Sequence, residues 1–221
     1  MRNPVYQGGG PLTGATGHAR RGRRRTALRL LPLLSLVVLP APGQARDAPE
    51  IISNLCIACH TMDGNALVPA FPKLAGLHAE YLEKQLADYA SGARKHEAMQ
   101  AFASDLSRNE MRALAAHFAS QRRHDGVVTD PGLVERGREL YHEGNKANGV
   151  PACAGCHKPD GSGTPRSVMI AGQNAPYVAE QLTLFKNDTR TNDRGRLMRT
   201  VAGRMTPEEI QAVAQYVASM Q

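Results

Sequence analysis

Apolar residues recur at helical spacing in two late stretches of the chain: Met111, Leu114, Ala115 and Phe118, then Ile210, Val213, Ala214 and Val217. Residues three and four apart share one helix face, so each stretch predicts an amphipathic helix with one buried stripe. Both open on a start signal. Ser107-Arg108-Asn109-Glu110 and Thr206-Pro207-Glu208-Glu209 fit the capping-box pattern, the second with Pro at the first helical position. These closing helices are expected to run to Gln121 and Met220. The pattern predicts a second helix in each half, over 79–90 and 176–186, and a short one over 48–55 and 133–143. No run alternates well enough to argue for a sheet. The fold class is therefore all-α.

The two sets of helices belong to an internal repeat. Asp63-Gly64, Leu74-Ala75-Gly76, Tyr81, Gln85-Leu86, Arg94 and Met99 reappear as Asp160-Gly161, Ile170-Ala171-Gly172, Tyr177, Gln181-Leu182, Arg190 and Met198, at an offset of 96 to 99 residues. Two tandem domains follow, expected at 46–124 and 125–221 and joined near His124 to Pro131. Such small domains, with no Trp and few aromatic residues, are poorly supplied with core.

The chemistry lies at the head of each copy. Cys56-Ile57-Ala58-Cys59-His60 and Cys153-Ala154-Gly155-Cys156-His157 use all four cysteines of the chain. CxxCH is the pattern of c-type haem attachment. Two thiols three positions apart each form a thioether to a porphyrin vinyl group, and the following histidine donates a nitrogen to the iron. Two covalently bound haem c groups are expected, on Cys56 and Cys59 with His60 and on Cys153 and Cys156 with His157. Each macrocycle would supply the apolar centre that its domain lacks.

An iron that carries electrons without binding small molecules needs a ligand on its other face, and Met with His raises the potential. Met99 and Met198 stand at matched positions, each seven residues before its counterpart in the pair Leu106 and Met205. Both are expected in the loop ahead of the capped helix, where the chain can wrap the ring and return. Met111 and Met205 fit core packing instead, Met62 is too near His60, and Met169 has no equivalent in the first copy. His96, three residues before Met99, remains a competing ligand for the first haem. His78, His117, His124 and His142 lack repeat partners and read as surface or half-buried histidines. For the other ring nitrogen of each haem histidine, the carbonyls of Pro72 and Val168 are the expected acceptors.

Residues 1–45 change the meaning of the charge. A basic cluster at Arg20 to Arg25, an apolar run from Ala27 to Val38 and small residues ending at Ala45 follow the order of a secretory signal. An uncleaved N-terminal anchor is the rival reading. The segment holds seven Arg and no Lys, Asp or Glu, so the formal net charge of +7 is its own. Over the rest, 20 basic residues balance 20 acidic ones, and a nucleic-acid partner loses its support.

The chain resembles the dihaem cytochrome c4 family over residues 48–221. The likeness rests on Phe71-Pro72-Lys73-Leu74-Ala75-Gly76, Tyr81-Leu82-Glu83-Lys84-Gln85-Leu86, Gly149-Val150-Pro151-Ala152-Cys153, and Arg190-Thr191-Asn192-Asp193 with Met198-Arg199. The resemblance implies a periplasmic or membrane-associated electron carrier with two cytochrome c domains and His/Met ligation, His60 with Met99 and His157 with Met198. It implies no catalysis. The donor would be a quinol-oxidising complex or a dehydrogenase, and the acceptor a terminal oxidase. Departures are the Val168 loop, the Arg94-Lys95-His96-Glu97 stretch before Met99 and the long presequence. Two other readings stay open: a dihaem subunit of a flavin-containing sulfide dehydrogenase or another dehydrogenase, and a dihaem peroxidase, against which the matched methionines argue.

Overall fold

The computed structural model describes Gly14 and residues 46–221, so the signal expected over 1–45 lies outside the described residues, Gly14 apart. The compact unit containing the repeat spans residues 43–221. Helix α1 (Ala48–Ile51) starts at Asp47, whose carboxylate accepts the Glu50 N–H at 2.8 Å. The sequence pattern would end this helix near Leu55. Instead it widens into a π-type turn over Ile52–Cys56 and continues as α2 (Ile57–His60), carrying the first CxxCH on helical backbone. After α3 (Ala79–Ala90) come α4 (Glu97–Ser104) and the capped α5 (Arg108–Ala119).

In the second copy a 3₁₀ turn (Pro131–Leu133) leads into α6 (Val134–Glu143), and α7 (Ala154–His157) carries the second CxxCH. Then follow α8 (Ala175–Lys186), α9 (Leu197–Arg204) and α10 (Pro207–Ser219). Both capping boxes form as the sequence predicts. Ser107 and Thr206 accept from the Glu110 and Glu209 N–H groups, and each glutamate accepts from the backbone N–H of its capping residue at 2.8 Å. Among the described residues, extended pairing is confined to two isolated bridges, Asn145–Val150 and Thr164–Ser167. The architecture is all-α.

Each copy has its own core. In the first, α3 packs on α5 and α4, and α1 on α5, burying Ile51, Ile52, Leu82, Leu114 and Phe118. In the second, α10 packs on α6 and α8, and α8 on α9, around Leu140, Tyr141, Phe185, Ile210, Val213 and Val217. Burying each such side chain contributes about 1.5–3 kcal/mol. Met111 and Met205 lie in this interior, as expected from their place on the apolar stripes.

The α6–α10 crossing depends on Gly137. A Cβ there would lie 2.0 Å from the Ala212 carbonyl oxygen. Gly137→Ala must therefore force the helices apart, at about 1–3 kcal/mol. A thermal melt should show the loss, and an unchanged melting temperature would refute the close approach.

Arg123 at the end of the first copy, with Gln173 and Asn174 of the second, ties the copies together through backbone groups. Arg123 donates to Ala75 at 2.8 Å and Ala171 at 3.0 Å, one acceptor in each copy. The Gln173 amide pairs with both backbone groups of Lys73, accepting at 2.8 Å and donating at 2.9 Å. Asn174 donates to the Phe71 carbonyl at 3.0 Å. These bonds join the loops at 71–75 and 171–174, each of which follows the CxxCH turn of its copy.

Candidate functional site

Each CxxCH occupies a single helical turn, which brings its two sulfurs onto one side with the histidine just beyond them. All four thiols are free. Burial pushes Cys56 and Cys153 up to about 11, keeping these thiols protonated at neutral pH.

His60 and His157 point inward, and each anchors one ring nitrogen on a loop carbonyl. His60 Nδ1 lies 3.1 Å from the Pro72 oxygen, and His157 Nδ1 lies 2.8 Å from the Val168 oxygen. Both acceptors are those the sequence suggests. The bond places the proton on Nδ1 and leaves the Nε2 lone pair free for a metal. Burial lowers the pKa of both rings, the carbonyls partly offset this, and the charge of nearby His96 lowers His60 further. Both rings are thus held neutral, the form that ligates.

Met99 and Met198 differ from expectation in one respect. Neither is in a loop: Met99 stands in the first turn of α4 and Met198 in the first turn of α9. The capping residue His96 accepts the Met99 N–H on Nδ1 at 3.3 Å. In the second copy Asp193 holds the equivalent segment, accepting from the Arg199 backbone N–H at 3.1 Å and from its guanidinium at 2.7 Å.

Cys56, Cys59, His60, Met99, Cys153, Cys156, His157 and Met198 all line one continuous cavity of ≈ 620 Å³. That volume lies in the range of about 300–1,000 Å³ usual for cofactor sites. The walls include Leu82, Leu86, Leu114 and Phe118 of the first copy and Leu182, Phe185, Val213 and Val217 of the second.

Where the cavity passes between the copies, it is crossed by a reciprocal polar network that sequence reasoning left without a role. Arg94 donates to Gln85 of its own copy at 2.8 Å, and to Tyr177 and Gln181 of the other at 3.0 and 2.7 Å. Arg190 mirrors it, donating to Gln181 at 2.8 Å and to Tyr81 and Gln85 at 3.2 Å each. The guanidiniums lie over the rings of Tyr89 and Phe185. Burial alone would push the Tyr81 phenol up, but the Arg190 and Arg94 charges more than reverse it. The available signal was the matched positions of Tyr81 and Tyr177, Gln85 and Gln181, and Arg94 and Arg190.

Both arginines are buried, and among the described residues neither forms an ion pair. A buried cation without a counter-ion is strongly unfavourable. Two guanidiniums directed at an apolar cavity therefore fit a cofactor that brings its own carboxylates. Haem does so through its propionates. The thiol pairs, the neutral imidazoles, the apolar walls and the two cations all suit it.

Comparison with known proteins agrees. The Cytochrome c family model matches residues 134–221, and the model for cytochrome c oxidase, cbb3-type, subunit III matches residues 43–118. Cytochrome c4 from Pseudomonas aeruginosa is 41% identical over 183 residues, covering 81% of this chain and 88% of that protein. The chain belongs to the cytochrome c4 family. The crystal structure of reduced recombinant cytochrome c4 from Pseudomonas stutzeri superposes with a TM-score of 0.73 at 37% identity, over 80% of this chain and all of that one. The protein named thiosulfate dehydrogenase electron acceptor from Stutzerimonas stutzeri is 35% identical over 199 residues, covering 85% of this chain and 92% of that protein. As a cytochrome c4, the chain carries two covalent haem c groups on two cytochrome c domains and is an electron carrier rather than an enzyme.

Proposed function

We propose that this cytochrome c4 receives electrons from a quinol-oxidising complex or a dehydrogenase in the periplasm and passes them towards a terminal oxidase. Its irons would be held by His60 with Met99 and by His157 with Met198. The observation that carries this reading is the single cavity shared by both CxxCH turns and both methionines. When bound, the haem supplies one-electron chemistry with no bond made or broken in a substrate. The chain's own residues do the rest. Cys56, Cys59, Cys153 and Cys156 tether, the two histidines are oriented by Pro72 and Val168, and the apolar walls exclude water. Domain limits at 46–124 and 125–221 place one such set in each half.

Export is supported by the signal-like order of residues 1–45. Among the described residues no helix is long and apolar enough to cross a membrane. A dihaem subunit held by a flavin-containing sulfide dehydrogenase or another dehydrogenase is the second reading, supported by the relative named as an acceptor for thiosulfate dehydrogenase.

Carbon monoxide addition to the fully reduced, haem-loaded protein tests the ligand set. No prompt binding is expected, because with Met99 and Met198 as ligands both irons would be six-coordinate. Fast uptake at one haem per chain would remove one methionine assignment. Cyanide-sensitive reoxidation by oxidase-containing membranes tests the direction of flow, and its absence would favour the dehydrogenase-bound reading.

A further inference from the structure

We propose that His96 is a reserve ligand to the first haem, taking the sixth position on its iron when the bond to Met99 is lost. The inference rests on the reading of Met99 as the resting ligand.

His96 and Met99 share one face of the first turn of α4, at the capping position and three residues on. Both side chains line the cavity that receives His60. The imidazole is exposed at the cavity mouth, held by an edge contact with Tyr89 at 6.3 Å and by the hydrogen bond to the Met99 N–H. That bond is long, at 3.3 Å, and is the ring's only hydrogen bond among the described residues. It would also keep the ring from ligating the iron. While Nδ1 accepts from Met99, the ring proton sits on Nε2, which then has no lone pair to give. If the first turn of α4 shifts and the cap opens, the proton can move to Nδ1 through solvent. Nε2 is then free to bind. The exchange breaks one iron–sulfur bond and forms one iron–nitrogen bond, with no electron gained or lost.

The second copy lacks this device. Counted from the paired arginines, His96 corresponds to Asn192, whose amide is tied to Gln85 at 3.0 Å and Asp88 at 2.6 Å across the interface. Counted back from Met198, the matching residue is Gly195. No imidazole stands at either place. The second copy instead clamps its methionine segment with the Asp193–Arg199 pair, whose side chains are 3% and 13% exposed. The first copy has the spare histidine, and among the described residues no ion pair holds its methionine segment. On imidazole exchange the first haem would lose the high potential that methionine confers but stay closed to small molecules.

The test compares haem-loaded Met99→Ala, Met198→Ala and the double variant His96→Asn/Met99→Ala. Asn keeps a side-chain acceptor for the cap, so folding of α4 is preserved. Reduced Met198→Ala should bind one carbon monoxide per chain promptly. Met99→Ala should bind at least roughly tenfold more slowly, the factor that about 1.4 kcal/mol of competing ligation gives. Its oxidised first haem should show the low-spin resonance signature of two imidazoles. The double variant should bind as fast as Met198→Ala. A Met99→Ala protein that is high-spin and as fast as Met198→Ala overturns the reserve role while leaving Met99 as ligand. If His96→Asn alone abolishes the native spectrum of the first haem, His96 is the resting ligand, and both this inference and the Met99 assignment fall.

Discussion

Replacing Cys153 and Cys156 together by Ala should yield a chain with one haem instead of two and a second repeat that does not fold. The four thiols are the only covalent anchors, and around the second CxxCH turn the cavity is walled by apolar side chains, Leu182, Phe185, Val213 and Val217 among them. If half of the ≈ 620 Å³ were left as dry void, the penalty would be about 7 kcal/mol at ~24 cal/mol per Å³. That is comparable with the whole stability of a small domain, about 5–15 kcal/mol. Water entering the space would relieve the void but expose Leu182, Phe185, Val213 and Val217. Haem content per chain, read as pyridine haemochrome, should halve, and helical circular dichroism should fall with it. A singly loaded chain that retained full helicity would show that the second core stands without its cofactor.

Arg94→Gln and Arg190→Gln should each lower the midpoint potentials of both haems. A buried positive charge favours the reduced state, which carries one positive charge fewer. A unit charge acting at about 10 Å through an effective dielectric of about 20 is worth on the order of 1.5 kcal/mol. For one electron, 1.4 kcal/mol is about 59 mV. Because each guanidinium bonds side chains of both copies, neither substitution should act on one haem alone. Spectroscopic redox titration of each variant measures both potentials. Potentials that stay in place would mean that the arginines do not serve as counter-ions, and a shift confined to one haem would mean that the network does not join the two sites.

The parts of this protein legible in its sequence are those set by neighbours along the chain. The capping boxes at Ser107 and Thr206 form because a hydroxyl and a glutamate three residues later need only each other's backbone. The helix at Ala79–Ala90 agrees with its apolar spacing to the residue. Expectation and structure part company at Cys56 and at the methionines. The first helix continues through the cysteines by widening a turn, which no local propensity encodes. Met99 and Met198 sit on helices because His96 and the Arg194–Arg196 turn, respectively, start those helices just before them.

The sequence by itself determined the two attachment motifs, the repeat, the all-α class and the paired methionines. Each is written in spacing, and spacing survives without a fold. Only the tertiary structure decided that both sites open into one cavity and that Arg94 and Arg190 exchange partners between copies. Those contacts join residues 83 to 109 positions apart. No pattern along the chain selects one such pairing over another. The packing of two cores against a shared interface does, because it buries the charges where only each other's neutral dipoles and a cofactor's carboxylates can satisfy them.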